Sequence, residues 1–226
     1  MPEKRCIIDA HHHLWDLDAC HYPWLMEKGV PRFFGDPTPI QKNYLVADLR
    51  RDATSYELAG SVHVQVGVAS GDEVRETEWL EACAAEQGLP SAIVAFCDLA
   101  ADDLASVLDR HCRSTRLRGV RQILGRSAEE DAVTGSGALL DNPAWRDGLA
   151  RLRDRQLSFD LQLVPAQLQK AAEVFATVPG LRVALCHCGS PWDQSAAGFG
   201  RWHAGLERLA ELPDVYVKIS GLAMFN

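Results

Sequence analysis

Short runs rich in Val, Ile and Leu alternate along the chain with stretches whose apolar residues recur at helical spacing. The strand-like runs cover 6–11, 61–66, 93–99, 117–124, 157–163, 181–187 and 215–220. Helices are predicted near residue 49, over 72–87 and 102–112, from residue 142 onward, and over 165–176 and 202–212. Gly88 and Pro90 follow the second of these in the order that ends a helix. Asn142-Pro143 opens another, with a capping side chain and a proline in the first turn. Repeated β-α units argue for an α/β protein with a parallel sheet covered by helices. Seven such strands suggest a (β/α)8 TIM-barrel-like fold of which this chain holds about seven units. There is no linker, low-complexity tract or internal repeat, so residues 1–226 read as a single barrel domain without its C-terminal strand.

Polar residues within these apolar runs stand out, because barrel chemistry takes place at the C-terminal ends of strands. The first run ends in Asp9-Ala10-His11-His12-His13. On a regular strand Asp9, His11 and His13 share one face, with Ile8, Ala10 and His12 on the other. Two such imidazoles can grip one divalent ion or hold one polar substrate group. Alternation likewise puts His63 and Gln65 on one face of strand two, with Val62, Val64 and Val66 toward the helices. It pairs Asp160 with Gln162 and Lys218 with Ser220. These groups either serve a site or hydrogen-bond one another within the filling layers. Arg121, near the end of strand four, either binds a carboxylate or joins an internal ion pair with Asp160. His187 closes strand six and precedes Cys188-Gly189, which makes it the third candidate imidazole. The loop after strand one carries Trp15, Tyr22 and Trp24, which either wall a pocket for a sugar-sized ring or form the loop's own small core.

Composition narrows the partners. With 47% hydrophobic and 24% charged residues among 226, the chain fits an ordinary globular domain. No apolar run approaches the roughly 20 residues needed to span a membrane, and the first residues lack a signal-peptide core, so a cytoplasmic protein without membrane contact is expected. A net charge of −8 argues against nucleic acid. The seven cysteines include no Cys-x-x-Cys pair, so free thiols are expected. On a strand, the sulfurs of Cys186 and Cys188 would face away from His187.

Taken together, Ile8-Asp9-Ala10-His11-His12-His13-Leu14-Trp15-Asp16, Tyr22-Pro23-Trp24-Leu25, Leu117-Arg118-Gly119-Val120-Arg121-Gln122, Leu157-Ser158-Phe159-Asp160-Leu161-Gln162, His187-Cys188-Gly189-Ser190-Pro191 and Val217-Lys218-Ile219-Ser220-Gly221-Leu222 resemble the amidohydrolase superfamily. Within it, the chain is similar to the amidohydrolase-related branch that includes sugar lactonases and 2-pyrone-4,6-dicarboxylate lactonase. The resemblance implies a distorted barrel that hydrolyses a lactone to a hydroxy acid. It implies that His11, His13 and His187 hold a divalent metal, zinc or manganese, or polarise the substrate carbonyl, with His187 also catalytic. Some members of the branch work without a metal. Arg121, Gln162, His63, Gln65 and Trp24 are the expected substrate-binding residues, and a small molecule is the expected partner. The branch pattern places an aspartate on strand eight as the base for water, and no such segment follows Ser220 here. On that basis the terminal strands are expected to present open edges and to favour a homo-oligomer. Related branches decarboxylate unsaturated acids at a similar His-x-His, and a non-catalytic truncated barrel is the third reading.

Overall fold

The structure is a computed structural model and describes residues 4–30, 32, 34–126, 131 and 134–221. Leu222, the last residue of the final motif above, lies outside them. The chain forms two compact units, residues 1–96 with 107–118 and residues 97–106 with 119–226.

The first unit carries β1 (Arg5–His12), α1 (Pro23–Met26), α2 (Val46–Asp52), β2 (Tyr56–Val64), α3 (Glu73–Gln87) and β3 (Ala92–Ala95). Its strands pair in parallel in the order β1-β2-β3. Gly88 ends α3 in the left-handed conformation at φ 77°, and its N–H donates to the Ala84 carbonyl, as the Gly-x-Pro signal predicts. β1 departs from regular alternation. Asp9 pairs with Ser61 and His12 with His63, so β1 uses one residue more than β2 over this span. Such a bulge bends the strand and re-aims side chains. The shift takes Asp9 out of regular alternation with the histidines, while the His11 and His13 rings stay side by side. Asp9 Oδ1 instead accepts the His11 backbone N–H at 3.0 Å.

The helix α4 (Leu104–His111) supplies His111 to this unit. Its Nε2–H donates to the Phe96 carbonyl at 3.1 Å, so Nδ1 accepts from the Thr77 hydroxyl at 2.8 Å. Burial pushes this imidazole from its ordinary 6.5 down to about 4. Between those two values the unfolded chain binds a proton that the folded one does not, so stability falls as the pH drops through that window. For one fully buried histidine the loss is about 3 kcal/mol at most. Urea midpoints measured from pH 7 to pH 4 are expected to decline, and His111→Gln to flatten that decline. An unchanged slope in the variant would remove His111 as its source.

The second unit holds β4 (Leu117–Ile123) from Gly119 on, α5 (Pro143–Asp154), β5 (Ser158–Gln162), α6 (Leu168–Ala176), β6 (Val183–Leu185), α7 (Ala196–Ala210) and β7 (Val215–Val217). These strands are also parallel, in the order β4-β5-β6-β7. Asn142 caps α5 by accepting the Ala144 N–H, and Pro143 follows it, both as predicted. The core centres on Trp145, which is fully buried and packs edge-on against Phe159 at 5.6 Å and Phe175 at 6.4 Å. Its indole N–H donates to Gln122 Oε1 at 2.8 Å, and the same oxygen accepts the Leu99 N–H.

Several boundaries differ from the sequence pattern. The sixth strand stops at Leu185, because residues from Cys186 enter a tight 3₁₀ turn. The seventh stops at Val217, so Lys218 and Ser220 stand on an irregular segment beyond it. α7 starts six residues before the predicted Trp202. Gly198 and Gly200 weaken a helix there, but the Ser195 hydroxyl accepts the Gly198 N–H at 3.0 Å and caps it. The fold is α/β and TIM-barrel-like, with seven parallel strands in chain order among the described residues, the first six each followed by a helix. No helix among the described residues is long and apolar enough to cross a membrane.

Candidate active site

In the first unit, the His11 and His13 rings stand 5.2 Å apart, edge to face. His13 Nδ1 lies 2.6 Å from the Val64 carbonyl. A carbonyl only accepts, so Nδ1 carries the proton and Nε2 of neutral His13 presents a lone pair. Metal-binding histidines characteristically spend their second nitrogen on such an acceptor. The donor chemistry of His13 thus suits a divalent ion. Among the described residues, however, no group of three or more His, Cys, Asp or Glu side chains is gathered around one point. His11 and His13 are by themselves two ligands for such an ion.

His63 lies 6.4 Å from His13, ring to ring, and is fully buried. Its Nδ1 accepts the Leu14 backbone N–H at 3.1 Å, and Nε2 is 3.9 Å from Oε1 of Glu76 on α3. His63 therefore stands beside Glu76 of α3, the helix that follows β2, on the side that alternation assigns to the valines. This buried carboxylate in the first turn of α3 also accepts the Val66 N–H at 3.2 Å. Nothing in the sequence marked Glu76, since an acidic first turn is ordinary helix chemistry. Gln65 is buried just past the end of β2.

Trp24 donates its indole N–H to the Val66 carbonyl at 2.7 Å. With Trp15 it packs against a cluster of Cys20, Tyr22, Leu25 and Val66. Of the two readings of the aromatic loop, the structure shows the loop's own core.

In the second unit, Arg121 is buried and donates to Gln162 Oε1 at 3.2 Å, which brings these two expected substrate-binding residues together. Asp160 takes Lys218 as its ion-pair partner, Nζ to Oδ2 at 2.8 Å. The Cys186 thiol lies 3.8 Å from the same oxygen. Burial, reinforced by that negative charge, pushes the thiol up to about 12 and leaves it unreactive. All seven cysteines stand as thiols outside disulfides, as expected.

His187 does not sit on a strand. Its φ is 55°, Cys188 has φ 53° and Ser190 has φ 54°. Three non-glycine residues in the left-handed region each cost about 1–3 kcal/mol and persist only where surrounding structure enforces them. Here the Cys188 N–H donates to the Lys218 carbonyl at 3.1 Å, the Ser190 N–H to the His187 carbonyl at 2.9 Å, and the Trp202 indole N–H to the Cys188 carbonyl at 2.7 Å. The alternation argument for the Cys186 and Cys188 sulfurs fails for the same reason. Burial first, then the Arg121 and Lys218 cations, push His187 down to about 4, so its ring is neutral at pH 7.

The amidohydrolase family profile matches residues 8–226. The chain belongs to the amidohydrolase family. It is 36% identical to an uncharacterized protein of Sinorhizobium fredii over 97% of this chain and 74% of that one. It is 29% identical to an L-fucono-1,5-lactonase of Burkholderia multivorans, covering 95% of this chain and 68% of the lactonase. A Burkholderia multivorans amidohydrolase crystallised with zinc superimposes with a TM-score of 0.74 at 29% identity, over 95% of this chain and 69% of that one. Membership agrees with the strand-end histidines and the parallel β/α order seen in this amidohydrolase.

Proposed function

We propose that this amidohydrolase opens a sugar-type lactone to its hydroxy acid. The observation that carries the reading is the likeness to an L-fucono-1,5-lactonase, which extends over 95% of the chain. Two histidines support it. His13 offers a lone pair at Nε2, and His187 is a neutral imidazole held on an enforced backbone.

In this reading a water oxygen bonds to the lactone carbonyl carbon, the carbonyl oxygen gains negative charge, and the ring C–O bond then breaks. The leaving oxygen takes up a proton, and at neutral pH the new carboxylic acid releases one. His187 supplies a hydrogen bond to the oxygen on which charge develops. His11 and His13 hold the carbonyl side of the substrate. A divalent ion, zinc or manganese, would also be held by them and, when bound, would supply Lewis-acid polarisation. Arg121 and Gln162, already joined to each other, orient substrate oxygens. Gln65 is assigned to substrate as well. His63 and Trp24 are assigned supporting parts, since Glu76 and Val66 engage them.

The test is a panel of 1,4- and 1,5-lactones of sugars, followed by proton release with a pH indicator. At least one is expected to open with kcat/KM of about 10⁴ M⁻¹s⁻¹ or more. Failure on every lactone, with carbon dioxide released from an unsaturated acid, would replace this reading by a decarboxylase.

A further inference from the structure

The segment Lys218-Ile219-Ser220-Gly221 beyond β7 has only Lys218 accounted for, through Asp160. Its last two residues lie against His187. Ser220 Oγ is 3.3 Å from the His187 backbone nitrogen, whose hydrogen it accepts, and 3.0 Å from His187 Nδ1. Gly221 has φ +68°, and a Cβ added there would stand 2.8 Å from Nδ1 and 3.0 Å from the His187 Cβ. Real Cβ atoms do not approach that closely, so any side chain at 221 would displace the ring.

The hydroxyl hydrogen decides what the ring can do. Ser220 Oγ already accepts one N–H, and its own hydrogen has Nδ1 within reach. We propose that Ser220 and Gly221 are positioning residues for His187: the serine hydroxyl donates to Nδ1 and so fixes the ring proton on Nε2, and the glycine leaves the room in which the ring stands. His187 then presents an N–H, which suits a developing oxyanion and not a metal ion. His13 has the opposite tautomer, because its Nδ1 faces a carbonyl. The two histidines are thus specialised by their partners, one as a donor and one as a lone pair. The proposal deepens the lactonase reading and rests on it for its kinetic consequence, although the tautomer itself is independent of any substrate.

The experiment uses the full chain, stripped of metal and labelled with ¹⁵N-histidine. Two-bond ¹H–¹⁵N correlation distinguishes the tautomers, and His187→Gln assigns the signals. Wild type is expected to show His187 with Nδ1 bare and Nε2 protonated. Ser220→Ala should convert this to a mixture of tautomers, and Ser220→Thr, which keeps the hydroxyl, should restore it. With a turned-over lactone, Ser220→Ala should lower kcat about 10–100-fold, the usual cost of losing such a partner. KM should stay within about twofold, and Ser220→Thr should recover most of kcat. Gly221→Ala should lower kcat with the hydroxyl still present. A wild-type proton on Nδ1, or an unchanged tautomer in Ser220→Ala, overturns the proposal. So does a loss of thermal stability alone with the tautomer retained. If no lactone is opened, the lactonase reading falls while the nitrogen spectra still decide the positioning roles.

Discussion

His187→Ala is expected to lower kcat for lactone opening by about 10²–10⁴, the range for removing one group that donates or moves a proton in the transition state. The effect should appear in kcat and kcat/KM together, with KM little changed, because the hydrogen bond strengthens only as the carbonyl oxygen becomes anionic. The fold should survive. His187 lies in a turn held by the Cys188, Ser190 and Trp202 hydrogen bonds, all of which use main-chain atoms of this segment as donor or acceptor. Alanine keeps those atoms. It also removes an imidazole whose neutrality depends on burial and on two nearby cations. Steady-state kinetics on the most active lactone, with circular dichroism as the control for folding, checks the prediction. Equal turnover by variant and wild type would take His187 out of the chemistry.

Trp145→Ala is expected to destabilise the protein by about 3–5 kcal/mol, the usual cost of deleting a fully buried large aromatic side chain. Trp145 has no exposed surface and meets both Phe159 and Phe175 edge-on. Its loss leaves a cavity between α5 and β5, and takes a donor from Gln122, whose Oε1 is then left with the Leu99 N–H. Gln122 is the neighbour of Arg121 on β4, so the damage reaches the strand that carries a substrate-binding candidate. Urea unfolding should show a lower midpoint with a similar slope. Trp145→Phe keeps most of the volume and should recover about half the loss. A shift below 1 kcal/mol for the alanine variant would contradict the packing described here.

Much of this was legible before any coordinates. Arg121 and Gln162 are polar residues within apolar runs, and the structure brings them together. Gln122 falls on the opposite face of β4, against Trp145, as alternation requires. The failures cluster where the backbone leaves regular geometry. Alternation assigns the helix side of strand two to the valines, yet His63 stands 3.9 Å from Glu76 of α3. It misreads the Cys186-His187-Cys188 segment because φ turns positive there. Asp160 was paired with Arg121 as one alternative, and takes Lys218 instead. No local pattern distinguishes two cations that are each far from Asp160 in sequence.

The order of residue types therefore determined the class of fold, the family and which histidines were worth following, because strand period and strand-end chemistry are local properties. What those histidines can do was decided by tertiary structure. His13 meets a carbonyl 51 residues away, and His187 a hydroxyl 33 residues away. A ring's proton goes where its hydrogen-bond partner puts it, and partners that distant exist only once the chain has folded.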